Sequence, residues 1–346
     1  MSRVGGTLSE LARLCDVSPS TVSRVLNNSK HGRFSVSAEV RERILSTART
    51  LNYRPSMAAR NLTVTKTNLV AVLGVGHMTS DRVGPVEQAV NAMARTLDQA
   101  GYEICVQFLS SRHGPFDLPP LRVDGVVAVG AGSDADVTAL DELRLPYVSI
   151  NGRVGETGSS VVPDDAGGTR LAMQHLADLG HQTVAYLDHW AVDAHHPSVP
   201  ERRLAFRAGL AEFGLRTPDV DLPLLPADRS WDPYYEPFVR QAILDGGATA
   251  VLTYSHQGAL SLLRTTHDLG LRVPDAFSLI CFNDEPVVRL CVPSITAIDV
   301  PSIRMGHKAA EILLRLMAAD EPPRPVRVRL DETLIVRESS ARLKSK

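Results

Sequence analysis

The sequence predicts a small all-α head followed by a larger α/β core built as two parallel-sheet lobes. Three observations predict it. Between Thr7 and Leu51, apolar positions recur at helical spacing in three short stretches, each with a capping residue at its start. From Leu69 onward, continuous apolar runs of strand length alternate with helix-period segments, the pattern of a parallel sheet covered on both faces. The charge is also split. Residues 1–66 hold eleven Lys and Arg against four Asp and Glu, a net +7, whereas the remainder holds 26 against 35, a net −9.

In chain order, Thr7-Leu8-Ser9-Glu10 has the hydroxyl-and-carboxylate spacing of a capping box, and Leu8, Leu11, Ala12 and Cys15 follow as an apolar stripe. Asp16-Val17-Ser18 is a tight turn. Ser18 can cap the next helix and Pro19 suits its first position, where a missing N–H is no loss. Val22, Val25 and Leu26 make one face of that helix, leaving Ser20, Thr21, Ser23, Arg24 and Asn27 on the others. Two short helices joined this way read as a helix-turn-helix, whose second helix enters the major groove; an ordinary helical hairpin has the same pattern. Ser37 can cap a third helix with Val40, Ile44, Leu45, Ala48 and Leu51 on one face. Thr63 to Thr67 is a polar linker.

In the core, strands are expected at Leu69–Leu73, Glu103–Phe108, Val123–Val129, Pro146–Ile150, Val184–Leu187, Ala250–Thr253 and Phe277–Phe282. Val86, Ala89, Val90, Met93, Ala94 and Leu97 step as a helix, and further helices fall near 166–179, 201–213, 234–245, 257–269 and 302–318. That is too many units for one compact sheet, so two lobes are expected.

Composition narrows the function classes. With 346 residues and 44% apolar content, the chain reads as an ordinary globular protein. It has no run of eighteen apolar residues and no apolar signal core at its start, so neither a membrane span nor export is expected. Cys15, Cys105, Cys281 and Cys291 are scattered, which suggests a reducing cytoplasm without disulfides or a zinc site. Gly74-x-Gly76 lacks the third glycine and the later acid of a dinucleotide fingerprint, and no Gly-x-Ser-x-Gly elbow exists. Asp188-His189, Asp193 and His195-His196 lie in one loop without metal-ligand spacing. No catalytic constellation, cofactor site or metal site is therefore expected. A basic head on an acidic body is the footprint of a DNA-binding module with a separate regulatory domain.

After the third helix come Tyr53-Arg54-Pro55 and Ala58-Ala59-Arg60-Asn61-Leu62, and here the sequence resembles the lactose/galactose repressor family of bacterial transcription regulators. Val162-Pro163-Asp164-Asp165, Leu179-Gly180-His181, Gly270-Leu271-Arg272-Val273-Pro274, Phe282-Asn283-Asp284 and Leu334-Ile335-Val336-Arg337-Glu338-Ser339 extend the similarity over nearly the whole chain. The resemblance implies a helix-turn-helix domain over 1–54 and a hinge helix and linker over 55–67 that docks in the minor groove. Leu62, beside Ala59, would wedge between base pairs there, a device known to kink duplexes; read alone, Leu62 is a plain linker residue. It further implies a periplasmic-binding-protein-like core over 68–340 with three crossovers and a ligand cleft. Lobe 1 is expected at about 68–161 and 295–320, and lobe 2 at about 162–292 and 325–340.

The function expected is a homodimeric, ligand-controlled repressor in the cytoplasm that binds double-stranded operator DNA. The alternatives are a free-standing solute-binding protein and an α/β enzyme. For DNA the candidates are Pro19, Ser20, Thr21, Ser23, Arg24, Asn27, Ala59 and Leu62. Arg24 can pair with a guanine edge, and Thr21 and Ser23 can hold phosphates. Lys30 to Phe34 is at best a phosphate-contacting loop. For the effector, the resemblance singles out Arg202, although Ala205 stands where the family has Gly. Asn283 stands in place of a sugar-binding Asp, and Ser255-His256 in place of Asn-Asp, which removes carboxylate acceptors. Asn151, Arg153, His77 and Trp231 complete the set, each as plausibly a packing residue as a ligand residue. The absence of a C-terminal heptad run argues for a dimer and against a tail-bundled tetramer.

Overall fold

A computed structural model describes residues 7–26, 35–53, 66–75, 84–108, 116, 118, 122–188, 196–220, 235–321 and 324–344. The chain divides into two units, residues 1–67 and 68–346.

Among the described residues the first unit holds three helices, α1 (Leu8–Leu14), α2 (Pro19–Leu26) and α3 (Ala38–Thr50). Each begins where a hydroxyl takes up an otherwise orphaned amide. Thr7 accepts from Glu10 N at 3.1 Å, Ser18 from Thr21 N at 3.1 Å, and Ser37 from Val40 N at 3.3 Å. Asp16 reverses the chain between α1 and α2 at φ 49°, in the left-handed region that a short polar side chain tolerates. Leu11, Ala12, Cys15, Val22, Val25, Ile44 and Ala48 close over one another as the core of this unit.

Among the described residues the second unit contains two sheets. The first has the order β10-β5-β4-β3-β1-β2 and is parallel throughout: β1 is Leu69–Val75, β2 Glu103–Phe108, β3 Gly125–Val129, β4 Tyr147–Ile150, β5 Ser159–Pro163 and β10 Arg327–Leu330. The second has the order β11-β9-β8-β7-β6, where β6 is Val184–Leu187, β7 Ala250–Thr253, β8 Ser278–Phe282, β9 Thr296–Asp299 and β11 Thr333–Ile335. Only the edge strand β11 runs antiparallel, against β9. Helices α4 (Pro85–Gln99), α5 (Asp134–Glu142) and α11 (Ser302–Ala318) cover the first sheet. The second is accompanied by α6 (Asp165–Asp178), α7 (Ser198–Glu212), α8 (Tyr235–Phe238), α9 (His256–Asp268) and α10 (Pro286–Leu290).

The continuous apolar runs have the cause that the sequence suggests. Successive side chains alternate between faces, and both faces are covered. Val70 and Val72 pack with Met93 and Leu313, while Leu69, Ala71 and Leu73 pack on the opposite face with Leu140 and Tyr147. In the second sheet Leu252 and Ile280 join one cluster, and Val251, Leu279 and Cys281 the other.

Two lobe assignments require correction. Thr296–Asp299, expected in lobe 1, is β9 and pairs in parallel with β8 of the second sheet. Arg327–Leu330, expected in lobe 2, is β10 and pairs in parallel with β5 of the first. The chain therefore passes between the lobes at 163–165, 299–302 and 330–333. Helix α11 does sit on the first lobe, against α4. β5, β9, β10, β11, α5 and α10 were not anticipated as elements. The helix expected near 234–245 is one turn of α-helix followed by a π-helical stretch, Val239–Asp245, closed by Gly246 N donating to Gln241 O at 2.8 Å.

The α4–α11 contact depends on Gly306, where a Cβ would collide with the backbone oxygen of Ala89. Gly306→Ala is expected to force the helices apart and destabilise the second unit by about 1–3 kcal/mol, read as a lower urea midpoint.

Candidate ligand cleft and nucleic-acid interface

In the head, burial of Val22 and Val25 fixes the roll of α2. Pro19, Ser20 and Arg24 are exposed as a result, and Thr21 and Ser23 half-buried. The Ser18 hydroxyl lies 2.8 Å from both Ser20 Oγ and Thr21 Oγ1, so the first turn of α2 presents a linked row of hydroxyls. Arg13, Arg41, Arg43 and Arg49 are also exposed on this unit. The structure thus gathers five of the sequence-selected residues on α2. Asn27, Ala59, Leu62 and the Lys30–Phe34 loop lie outside the described residues.

In the core, a cavity of about 220 Å³ opens between the lobes. Lobe 1 supplies Pro85, Val86 and Asn151, and lobe 2 supplies His196, Ser198, Arg202, Tyr254, Ser255, Gln257 and Asn283. Four residues chosen from the sequence, Asn151, Arg202, Ser255 and Asn283, therefore line one space. His77 and Trp231 lie outside the described residues. Arg153 is engaged elsewhere, pairing with Asp134 at 2.7 Å and donating to Gly132 O at 3.2 Å.

Strand ends position these side chains. Asn151 follows β4, Tyr254 and Ser255 follow β7, and Asn283 follows β8. The carboxyl ends of parallel strands are where open α/β sheets bind ligands, because the chain there leaves the ladder and can aim a side chain inward. Asn151 and Asn283 make that departure at φ 51° and φ 72°, in the left-handed region where Asn is among the few tolerated side chains.

Arg202 is the charged centre of the wall and is only 4% exposed. Its Nε donates to Asp165 Oδ1 at 2.5 Å and its Nη1 to Tyr254 O at 2.7 Å. The guanidinium lies 3.7 Å from the Phe282 ring centre and 4.9 Å from that of Tyr254. Burial works against its charge, but Asp165, Tyr254 and Glu332 outweigh it and hold the pKa above the ordinary arginine value. Behind it, both oxygens of the buried Glu332 carboxyl lack a hydrogen-bond partner among the described residues. Burial pushes this carboxyl above the usual glutamate range, against the pull of Arg202. The space it fills exists because residue 168 is Gly: a Cβ there would overlap Glu332 Oε2.

A polar chain runs along the lobe 2 wall. Ser198 Oγ bonds the Tyr254 hydroxyl at 2.6 Å and His196 Nδ1 at 2.7 Å. His256 is held by burial at a pKa of about 4 and is therefore neutral; Asn283 Nδ2 lies 3.5 Å from its Nδ1, at the limit of a hydrogen bond. The cavity can therefore offer a ligand hydroxyls, amides and a paired guanidinium, with no carboxylate among its described lining residues. Sequence reasoning missed Tyr254, Ser198, His196 and Gln257. Tyr254, directly after a strand end and before Ser255, could have been found from the tendency of parallel strands to present ligand-binding side chains at their carboxyl ends. Among the described residues no group of three His, Cys, Asp or Glu could hold a metal ion.

Comparisons with known proteins agree with this two-part layout. Residues 7–56 match the family model for bacterial regulatory proteins of the lacI family, and residues 173–340 match that for a periplasmic binding protein-like domain. The HTH-type transcriptional repressor PurR of Mannheimia succiniciproducens is 26% identical over 348 residues, 96% of this chain and 98% of its own length. The HTH-type transcriptional regulator GalR of Escherichia coli is 29% identical over 349 residues, 96% of this chain and 95% of its own. The crystal structure of the lac repressor dimer bound to operator and the anti-inducer ONPF shares the fold over 97% of this chain and 99% of its own, with a TM-score of 0.77 at 24% identity.

Arg202→Leu is expected to leave Asp165 as an unpaired buried carboxylate, at a cost of about 3–5 kcal/mol. The double variant with Asp165→Leu should recover much of that loss. Urea unfolding of both variants checks it.

Proposed function

The chain pairs a lacI-family DNA-binding head with a periplasmic-binding-protein-like core, which makes it a transcription regulator of that family and not an enzyme, and from that premise we propose how it works. It represses by reading an operator through α2 and releases or tightens that grip according to a small molecule in the interlobe cleft. Two copies read the two halves of a pseudo-palindromic site. Arg24 pairs with a guanine edge, and Ser20, Thr21 and Ser23 contact neighbouring phosphates and bases. Asn27 makes a further contact with the DNA, and Ala59 and Leu62 contact the minor groove. The effector is a sugar or related metabolite that Arg202, Asn151, Ser255 and Asn283 hold. The protein acts in the cytoplasm, where chromosomal operator DNA lies.

The observation that carries the effector reading is the convergence of those four residues on one cavity from widely separated chain positions. The +7 charge of residues 1–66 supports the DNA reading. A thermal-shift screen against sugars, sugar acids, sugar phosphates and nucleobases tests the first. A stabilising ligand whose effect vanishes in Asn283→Leu supports it, and a ligand whose effect survives there contradicts it.

For the head, a gel shift with genomic fragments should isolate an operator, and binding should weaken steeply with added salt. Arg24→Ala is expected to cut the preference for that operator over scrambled DNA by about 1–3 kcal/mol. An unchanged ratio of the two affinities would contradict the role given to Arg24.

A further inference from the structure

Among the interlobe contacts outside the ligand cavity, which include the Arg329–Glu201 ion pair, one joins two segments that themselves line it. Gln88, in α4 of lobe 1, donates from Nε2 to both carboxylate oxygens of Glu285, each at 2.9 Å. Glu285 belongs to lobe 2, where it precedes α10 as its N-cap, and it is buried. The segments that make this contact also line the ligand cleft. Pro85 and Val86 stand one turn before Gln88 on the same helix, and Asn283 is two residues before Glu285; all three line the 220 Å³ cavity. Glu285 N donates to Asn283 O at 2.9 Å, which ties the carboxylate to the left-handed turn that aims Asn283. On its other side the contact borders a second cavity of about 510 Å³, lined by Gln88, Asp284, Glu285 and residues of two crossovers, among them Asp299 and Asp331.

We propose that the Gln88–Glu285 pair is an interlobe clasp that holds α4 and the 283–285 turn together and so favours the lobe arrangement that encloses the ligand cleft. The proposal rests on reading the 220 Å³ cavity as the effector site. The clasp is built from a neutral amide and an acid: the hydrogen bond favours the ionised acid, whereas the cost of keeping that charge out of water is larger and favours the protonated one. Burial raises the Glu285 carboxyl to about 7, with smaller contributions from Glu87 on α4 and Asp284 on its own turn; the Gln88 amide and Arg289 on α10 pull the other way. Asp284 is itself held by Arg289 at 2.8 Å and by Arg337 at 2.6 Å, which limits its effect. Asp299 at the end of β9, Asp331 between β10 and β11, and Arg304 on α11 face the same second cavity. When the lobes part, Gln88 leaves and Glu285 meets water, where a glutamate titrates near about 4.3. The enclosed arrangement therefore retains a proton that the parted one releases. It is favoured fully below the solvated pKa, loses ground as pH rises from there to about 7, and loses no more above that. Between pH 6 and pH 8.5 the enclosed-to-parted ratio should fall about tenfold.

The test is a ligand-free distance measurement on the full chain, by double electron–electron resonance between spin-labelled unnatural residues at Thr138 on α5 and Ala208 on α7. The parent protein should shift toward longer distances between pH 6 and pH 8.5. Gln88→Ala should be shifted already at pH 6, and Gln88→Glu further still, because it sets two carboxylates face to face. Glu285→Gln should show no such pH response. Distance distributions for Gln88→Ala and Gln88→Glu that superimpose on the parent at both pH values overturn the clasp. Because no ligand is present, that result leaves the effector reading standing, and an empty ligand screen leaves the clasp standing.

Discussion

One side chain ties the interlobe cleft together. Arg202, on α7, reaches Asp165 at the first crossover, the backbone of Tyr254 at the end of β7, and the ring of Phe282 at the end of β8. A guanidinium removed from water survives only when its donors are met and its charge is opposed, and these three elements supply both. The consequence is geometric. Two strand ends and a crossover are held in register around a single ion pair, and the residues beside each contact, Ser255 and Asn283, face the cavity as a result. The same pair explains why the cleft can hold a charge without a carboxylate in its described lining: the counter-charge sits behind the wall, in Asp165.

Much of this was legible in the sequence because the relevant signals are local. Thr7, Ser18 and Ser37 each sit where a helix starts and each accepts the amide expected. The buried strands announce themselves as apolar runs because both faces are covered. What escaped was non-local. β10 reads Arg-Val-Arg-Leu with its arginines exposed and its apolar residues half-buried, the look of an edge, and its partner β5 lies more than 160 residues earlier. β9 reads Thr-Ala-Ile-Asp, polar at both ends, and lacks the longer apolar run that marks equally short strands such as β6. Their exchange between lobes follows from which strand each one meets, which no local pattern records.

The site shows the same division. Asn283, Asn151, Ser255 and Arg202 could be chosen from motif and position, and they do share a cavity. Tyr254, Ser198 and His196 form their hydrogen-bond chain only because α7 and the end of β7 come together. Glu332 could not be found at all: its burial depends on Gly168, a residue with no side chain to notice, in a helix far from it in sequence.

A bilobed sensor controls a DNA-binding head only if its ligand distinguishes the two states of the head, since a ligand of equal affinity for both shifts nothing. The most direct measurement is reciprocal. Operator affinity is read by fluorescence anisotropy with and without a ligand found in the screen, and ligand affinity by calorimetry with and without operator. The account predicts that both constants change by one common factor, on the order of 5–150-fold. A ligand that binds free and operator-bound protein with equal affinity would contradict it.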